Sequence, residues 1–315
     1  MPDTPISHQN VDVVVVGAAC LDVKARMRSD TVAGTSNPGE VRLSVGGGAR
    51  NISENLARLG MCVVLLSVVC EDDFGNTIIR QTHEAGVITD WVLRSSEYHS
   101  AAYIALLGSQ GNLLMGVDDT LAILSLTPEY IRSHAALLRS ARMVVVDSNV
   151  PLDTAETILS ICQDTNVQVA LDTVAYNPAL RYRDMIGSFY LVTPNQIEAQ
   201  ALTDVIITNE AQASLAAKRL IAAGVEVAII TCADDGVVYA TPSTSGFVPA
   251  LEVDVVDPTG AGNALTATVI YALLNDIPLD EAVRLGVSAA TLTLDSHETV
   301  RSDLSLESLY AQLII

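Results

Sequence analysis

The stretch VVDPTGAGNALTATV (255–269) sets three small residues, Gly260, Ala261 and Gly262, between an extended apolar run and a predicted helix. Backbone N–H groups at such a helix start are free to hold an anion. A Gly-Ala-Gly turn opening an Ala-rich helix has few structural uses that demand so little side chain, although a packing turn is one of them. The next residue is Asn263, where phosphoryl transfer would want a carboxylate to receive a proton. An amide has no useful basicity, and an asparagine there could simply cap the helix.

Four further clusters carry polar groups at suggestive spacings. In GAACLDV (17–23), Asp22 follows the first apolar run, and a carboxylate at a strand end can accept hydrogen bonds from two vicinal hydroxyls. A solvated strand end would look the same. In VGGGARN (45–51), Gly47 and Gly48 precede a helix and permit close backbone approach to a ligand, with Asn51 adding an amide. A flexible turn would also use them. In TPNQIEA (193–199), Asn195 and Glu198 face one helical turn, where they could hold the water shell of Mg²⁺ or form a capping box. In TCADDGVVYA (231–240), Thr231 and Gly236 could bind phosphate through hydroxyl and backbone, or merely close a hairpin.

The elements that must position these residues alternate. Short β-branched runs at 11–17, 61–70, 141–150, 167–174, 188–195 and 225–233 are separated by helical patterns near 49–60, 74–86, 127–139, 151–164 and 209–223. Strand, helix, strand at this spacing predicts a doubly wound sheet of βαβ units. The tail, 260–275, 279–294 and 304–314, is predicted helical. Two segments, 24–45 and 90–117, alternate polar and apolar residues without helices. They are predicted as antiparallel strands forming a lid over the strand C-termini, where open α/β folds bind ligands.

Half of the 315 residues are hydrophobic, 17% are charged and only 4% are aromatic, which suits a buried parallel sheet better than a base-stacking platform. A net charge of −20 repels nucleic acid and anionic membranes, so neither is an expected partner. Cys20, Cys62, Cys70, Cys162 and Cys232 form no C-x-x-C pair, and no H-x-x-x-H occurs, so neither disulfide framework nor zinc site is indicated. The polar start MPDTPISHQN and the absence of an apolar run near ~18 residues predict a soluble, cytoplasmic protein. No G-x-G-x-x-G follows the first strand, which argues against a nicotinamide-dependent oxidoreductase.

Taken in order, Asp22, the glycine run with Asn51, the N-x-x-E pair and the closing D-P-T-G-A-G resemble the ribokinase-like, or PfkB-type, carbohydrate and nucleoside kinases over nearly the whole chain. Within that family, SNPGEVRLSVGGGARNISENLARLG (36–60) is most similar to the pseudouridine kinase branch, which phosphorylates the ribose 5′-hydroxyl with ATP and Mg²⁺. The resemblance implies one ribokinase-like domain over 1–315, a mostly parallel sheet flanked by helices under a small β lid. It implies that Asp22, Asn51 and the backbone of Gly47 and Gly48 hold the ribose hydroxyls. Asn195 and Glu198 would organise metal and triphosphate, with Glu198 acting through water. Thr231 and Gly236 would line the nucleotide site. Gly260, Ala261 and Gly262 would form the anion hole, and Asp257 would help hold a monovalent cation such as K⁺. Unpaired lid-strand edges could join two copies into a homodimer.

Two positions depart from the family pattern: Ala233 where a glycine is usual, and Asn263 where the catalytic aspartate is usual. The expectation is an intact anion hole with its base missing. The competing reading is a non-catalytic nucleoside- or sugar-binding protein on the same scaffold.

Overall fold

Residues 11–313 are described in the computed structural model, so the N-terminal stretch 1–10 and the end of the predicted tail helix lie outside the described residues. In chain order the strands are β1 (Val13–Val16), β2 (Cys20–Met27), β3 (Gly39–Gly46), β4 (Val63–Leu66), β5 (Val68–Cys70), β6 (Leu93–Ser95) and β7 (Ala102–Leu107). They continue as β8 (Leu113–Asp119), β9 (Met143–Asp147), β10 (Gln168–Asp172), β11 (Leu191–Val192), β12 (Val227–Thr231), β13 (Gly236–Ala240) and β14 (Ser245–Pro249).

The main sheet runs β14-β13-β12-β11-β10-β9-β1-β4. It is parallel from β4 through β12 and antiparallel only at β13 and β14. Its strands read as unbroken apolar runs because both faces are covered. Val14, Val16, Val144 and Val146 belong to one buried cluster, with Ala155, Ile158 and Ala216 from helices on that face. Their neighbours Val13, Val15, Met143 and Val145 belong to a second, with Ile52, Leu56, Leu265 and Val283 from helices on the other. The strand period of two therefore divides each run between two cores. None of the described helices is long and apolar enough to cross a membrane.

Four expectations need correction. The run 61–70 is two strands rather than one: it breaks at Ser67, after which β5 leaves the main sheet to pair with β6. The lid strands are not uniformly antiparallel. They form a sheet of order β3-β2-β7-β8 in which β2 and β3, and β7 and β8, are antiparallel, while the central pair β2 and β7 is parallel. Asp22 does not end a main-sheet strand but lies inside β2, facing across the lid sheet to Ser44 and Tyr103. The pattern near 127–139 is also two helices, Pro128–Ser133 and Ala135–Ser140, meeting at His134. Strand β14 and the short helix Tyr176–Arg181 carried no recognised signal.

Candidate active site

The strands β9 and β10 end in Asp147 and Asp172, and the helix Gly48–Arg58 starts against both. Asp147 accepts from the backbone N–H groups of Ala18 (2.6 Å), Asn149 (2.9 Å) and Ala49 (3.3 Å). Burial nonetheless pushes its carboxyl up to about 6, the backbone donors only partly opposing the rise. Asp172 is buried and, among the described residues, its carboxylate has one side-chain donor, Asn263 Nδ2 at 3.2 Å. Burial first, then the charges of Glu198 and Asp147, hold Asp172 well above the usual carboxylate range. Gly48 is needed beside it: a Cβ there would come within 2.8 Å of Asp172 Oδ2.

Asn263 is held from both sides. Its Oδ1 accepts from Asn51 Nδ2 at 3.3 Å, while Asn51 Oδ1 accepts from Arg50 at 3.2 Å and Arg50 is ion-paired with Glu54. The chain Glu54–Arg50–Asn51–Asn263–Asp172 thus orients both amides, since each oxygen has a donor and each nitrogen an acceptor. Asn263 lies in the first turn of its helix, whose N-cap is Gly260, and makes no side-chain cap.

Gly260 has φ 90°, and a Cβ there would strike the carbonyl oxygen of Thr299. A Cβ on Gly262, by contrast, would meet nothing within 4 Å. The missing side chain leaves open space at the N-terminus of the helix Ala261–Leu274, where free backbone N–H groups can hold an anion. Ala261 and Gly262 line a cleft of about 760 Å³ with Asn195, Thr231, Gly236, Leu251 and Leu294, a volume that accommodates a nucleotide. Asn195 bridges to Thr231, whose N–H bonds the carbonyl of Pro194 at 3.0 Å.

Asn195 and Glu198 realise the capping box. Asn195 Oδ1 accepts from the N–H groups of Ile197 and Glu198, and Glu198 Oε2 accepts from Asn195 N at 2.9 Å. Glu198 also accepts from Asn195 Nδ2 (2.6 Å) and Thr173 Oγ1 (2.6 Å), using three of about four acceptor sites. Burial raises its pKa against these donors. Asn195 faces the cleft; Glu198 is buried behind it. No group of three or more His, Cys, Asp or Glu poised for a metal occurs among the described residues. Mg²⁺ fits here as a nucleotide-borne ion, since it binds mostly through phosphates, waters and one or two carboxylates.

On the lid side, Asp22 is buried against Gly46, and its carboxylate's only hydrogen bond among the described residues comes from the weak donor Cys20 Sγ at 3.3 Å. Burial raises its pKa, opposed by the Cys20 bond and the charges of Lys24 and Arg50. Gly47 forms the N-cap of the helix Gly48–Arg58 with φ 97°. The glycine run therefore joins Asp22 at one end to Asn51, Asn263 and Asp172 at the other. Asp257 lies on the turn that leads into Gly260, bonded to Lys24 and Thr259. Sequence reasoning passed over Lys24, Asp147 and Asp172. The last two carry the same signal that picked out Asp22, a carboxylate closing an apolar run.

A doubly wound sheet with a glycine-lined helix start at its cleft and a β-sheet lid carrying a buried carboxylate is the architecture of the ribokinase-like sugar kinases. The chain superposes on a ribokinase from Arabidopsis thaliana complexed with ribose and ATP with a TM-score of 0.86 at 20% identity, covering 97% of this chain and 99% of that one. On a carbohydrate kinase from Agrobacterium tumefaciens the TM-score is 0.83 at 26% identity, covering 96% and 97%. More particularly, the chain belongs to the pfkB family carbohydrate kinases, whose family pattern matches residues 10–305. It is 29% identical to a pseudouridine kinase of Escherichia coli over 93% of this chain and 94% of that protein, and 27% identical to a ribokinase of Bacillus subtilis over 90% and 93%.

Proposed function

We propose that this member of the pfkB kinases takes pseudouridine as its acceptor and transfers the γ-phosphoryl group of ATP to the ribose 5′-hydroxyl. The observation that carries the reading is the glycine run, which couples a hydrogen-bond-hungry Asp22 on the lid to the Asn51–Asn263 pair at the phosphate turn. The similarity of 36–60 to the pseudouridine kinase branch and the 29% identity to a pseudouridine kinase support the choice of acceptor.

In this reading Asp22 accepts from the vicinal ribose hydroxyls, with Asn51 and the backbone of Gly47 and Gly48 completing the cradle. The N–H groups at Gly260, Ala261 and Gly262 hold the transferring phosphoryl group. Thr231 and Gly236 line the nucleotide cleft, and Glu198 acts by locking the Asn195 amide toward it. Mg²⁺ neutralises the triphosphate. Asn263 bonds the attacking hydroxyl but cannot keep its proton, so turnover is slow. A positioned base contributes about 10²- to 10⁴-fold, whereas a loose phosphoryl-transfer transition state rests mainly on positioning and charge.

The observation favouring a non-catalytic nucleoside-binding protein is the same Asn263, already satisfied on both sides by Asn51 and Asp172. A thermal-shift screen of pseudouridine, uridine and ribose, followed by an assay for the 5′-phosphate, separates the two readings. Equal shifts with ribose and pseudouridine would sink the acceptor assignment.

The lid also supports a homodimer. Directly opposed residues share a face, so Leu43, Val23, Ile104 and Val117 form one rung and Val41, Ala25, Leu106 and Met115 the next. Val41, Leu43, Ile104, Met115 and Val117 are between 41% and 65% exposed, an apolar face suited to a second copy.

A further inference from the structure

The family resemblance assigns Asp257 to a monovalent cation, but the residues present do not fit that ion. Lys24 Nζ lies 2.5 Å from Asp257 Oδ2 and 2.9 Å from Thr259 Oγ1. The other carboxylate oxygen, Oδ1, accepts the N–H of Thr259 at 2.9 Å. Lys24 and Asp257 are 13% and 17% exposed, so water screens the pair only weakly. A metal cation on this carboxylate would meet the ammonium at close range in a poorly screened site, and the like charges would repel. Asp257 has no shortage of positive charge: burial pushes its carboxyl up, but the bonds from Lys24 and Thr259 outweigh it and hold the group below the usual range.

Lys24 stands two residues after Asp22 on β2, so the strand period directs both side chains to the same face of the lid sheet. One strand thus presents a carboxylate to the glycine run and an ammonium to the phosphate turn. Asp257 begins the turn that leads through Thr259 into Gly260. Neutralising it removes a negative charge from beside the site where a phosphate is to sit.

We propose that the Lys24 ammonium is the resident cation of this phosphate turn, so that its order and its nucleotide affinity do not depend on K⁺. The proposal rests on the kinase reading for the nucleotide alone; the stability readout stands without it.

The test compares the full chain with Lys24→Met and Lys24→Arg in KCl and in choline chloride at equal ionic strength. Thermal stability and the affinity for Mg²⁺ with a non-hydrolysable ATP analogue are both measured. The parent should show the same Tm and affinity in the two salts. Lys24→Met should lose about tenfold in affinity in choline, the scale of one hydrogen bond to a charged group, and recover part of it, with its Tm, in KCl. Lys24→Arg should keep the parent's indifference to K⁺, which covers the case in which Lys24→Met fails to fold. A parent that gains stability or affinity specifically from K⁺ overturns the proposal, as does a Lys24→Met variant that behaves alike in both salts. If no variant binds nucleotide in either salt, the kinase reading fails, while the Tm comparison still decides whether Lys24 replaces the ion.

Discussion

Asn263 and Asp172 define what a single substitution can do here. An aspartate at 263 keeps the shape of the amide and the bond from Asn51, but turns its second oxygen toward Asp172, where Asn263 Nδ2 now donates at 3.2 Å. Two carboxylates at that distance share a proton, which raises one of their pKa values further. Asn263→Asp should therefore raise kcat by about 10²-fold or more, and more at pH 8 than at pH 6, because the shared proton must leave before the base is free. The kcat–pH profile of Asn263→Asp beside that of Asn263→Asp/Asp172→Asn checks this, the double variant turning on at lower pH. A parent already turning over at roughly 1–100 s⁻¹ would show that the proton has another acceptor. Asp22→Ala should weaken pseudouridine binding by roughly 1.5–3 kcal/mol, the scale of hydrogen bonds to a charged group. An unchanged affinity by calorimetry would remove Asp22 from the acceptor site.

Elements explain which of these contacts were open to sequence reasoning. Runs such as VVVV and VALD announce buried parallel strands, and G-A-G before an Ala-rich helix announces its own start. The Asn195–Glu198 spacing admitted two uses, and the structure realises the capping box. What local pattern could not convey is pairing. Whether β2 meets β7 in parallel depends on chain far from either strand, and the Asn263–Asp172 and Lys24–Asp257 contacts span 91 and 233 residues. Ser67 gave no warning of a sheet change because VVLLSVVC is apolar on both sides of it. The departure at Ala233 does have a physical account: it sits at φ 48° in the 3₁₀ turn Ala233–Asp235, a left-handed conformation that L-residues adopt at a cost. Ala233→Gly should stabilise the protein by about 1 kcal/mol, less the extra entropy that glycine loses on folding. Urea denaturation of the pair measures this, and a less stable glycine variant would mean that the turn carries no such strain.

At the scale of the whole molecule, charge and surface set two expectations. Asp147 rises from an ordinary value of 3.8 to about 6, and Asp22, Asp172 and Glu198 are raised as well. A carboxyl whose folded-state pKa is raised binds its proton more tightly in the folded protein, so folding stability is lost as pH climbs through that window. The net charge of −20 adds self-repulsion in the same direction. Tm should therefore be higher near pH 5.5 than at pH 8, and a scan that rises across that range would contradict it. The outer lid face sets the second expectation. Val41, Leu43, Ile104, Met115 and Val117 on its two apolar rungs are exposed in the single chain, and Asp22 and Lys24 lie on the opposite face of the same sheet. Two lids packed face to face would cover Leu43, Val41, Ile104, Met115 and Val117 at once, each buried aliphatic side chain contributing about 1.5–3 kcal/mol before association costs. Leu43→Arg would place a charge within that contact, on the edge strand β3, without touching the polar face. Light scattering during size exclusion should give a dimer for the parent and a monomer for Leu43→Arg, with monomeric Leu43→Arg still binding nucleoside. A parent that is monomeric at tens of micromolar, or a Leu43→Arg variant that remains dimeric, would place the contact elsewhere or remove it.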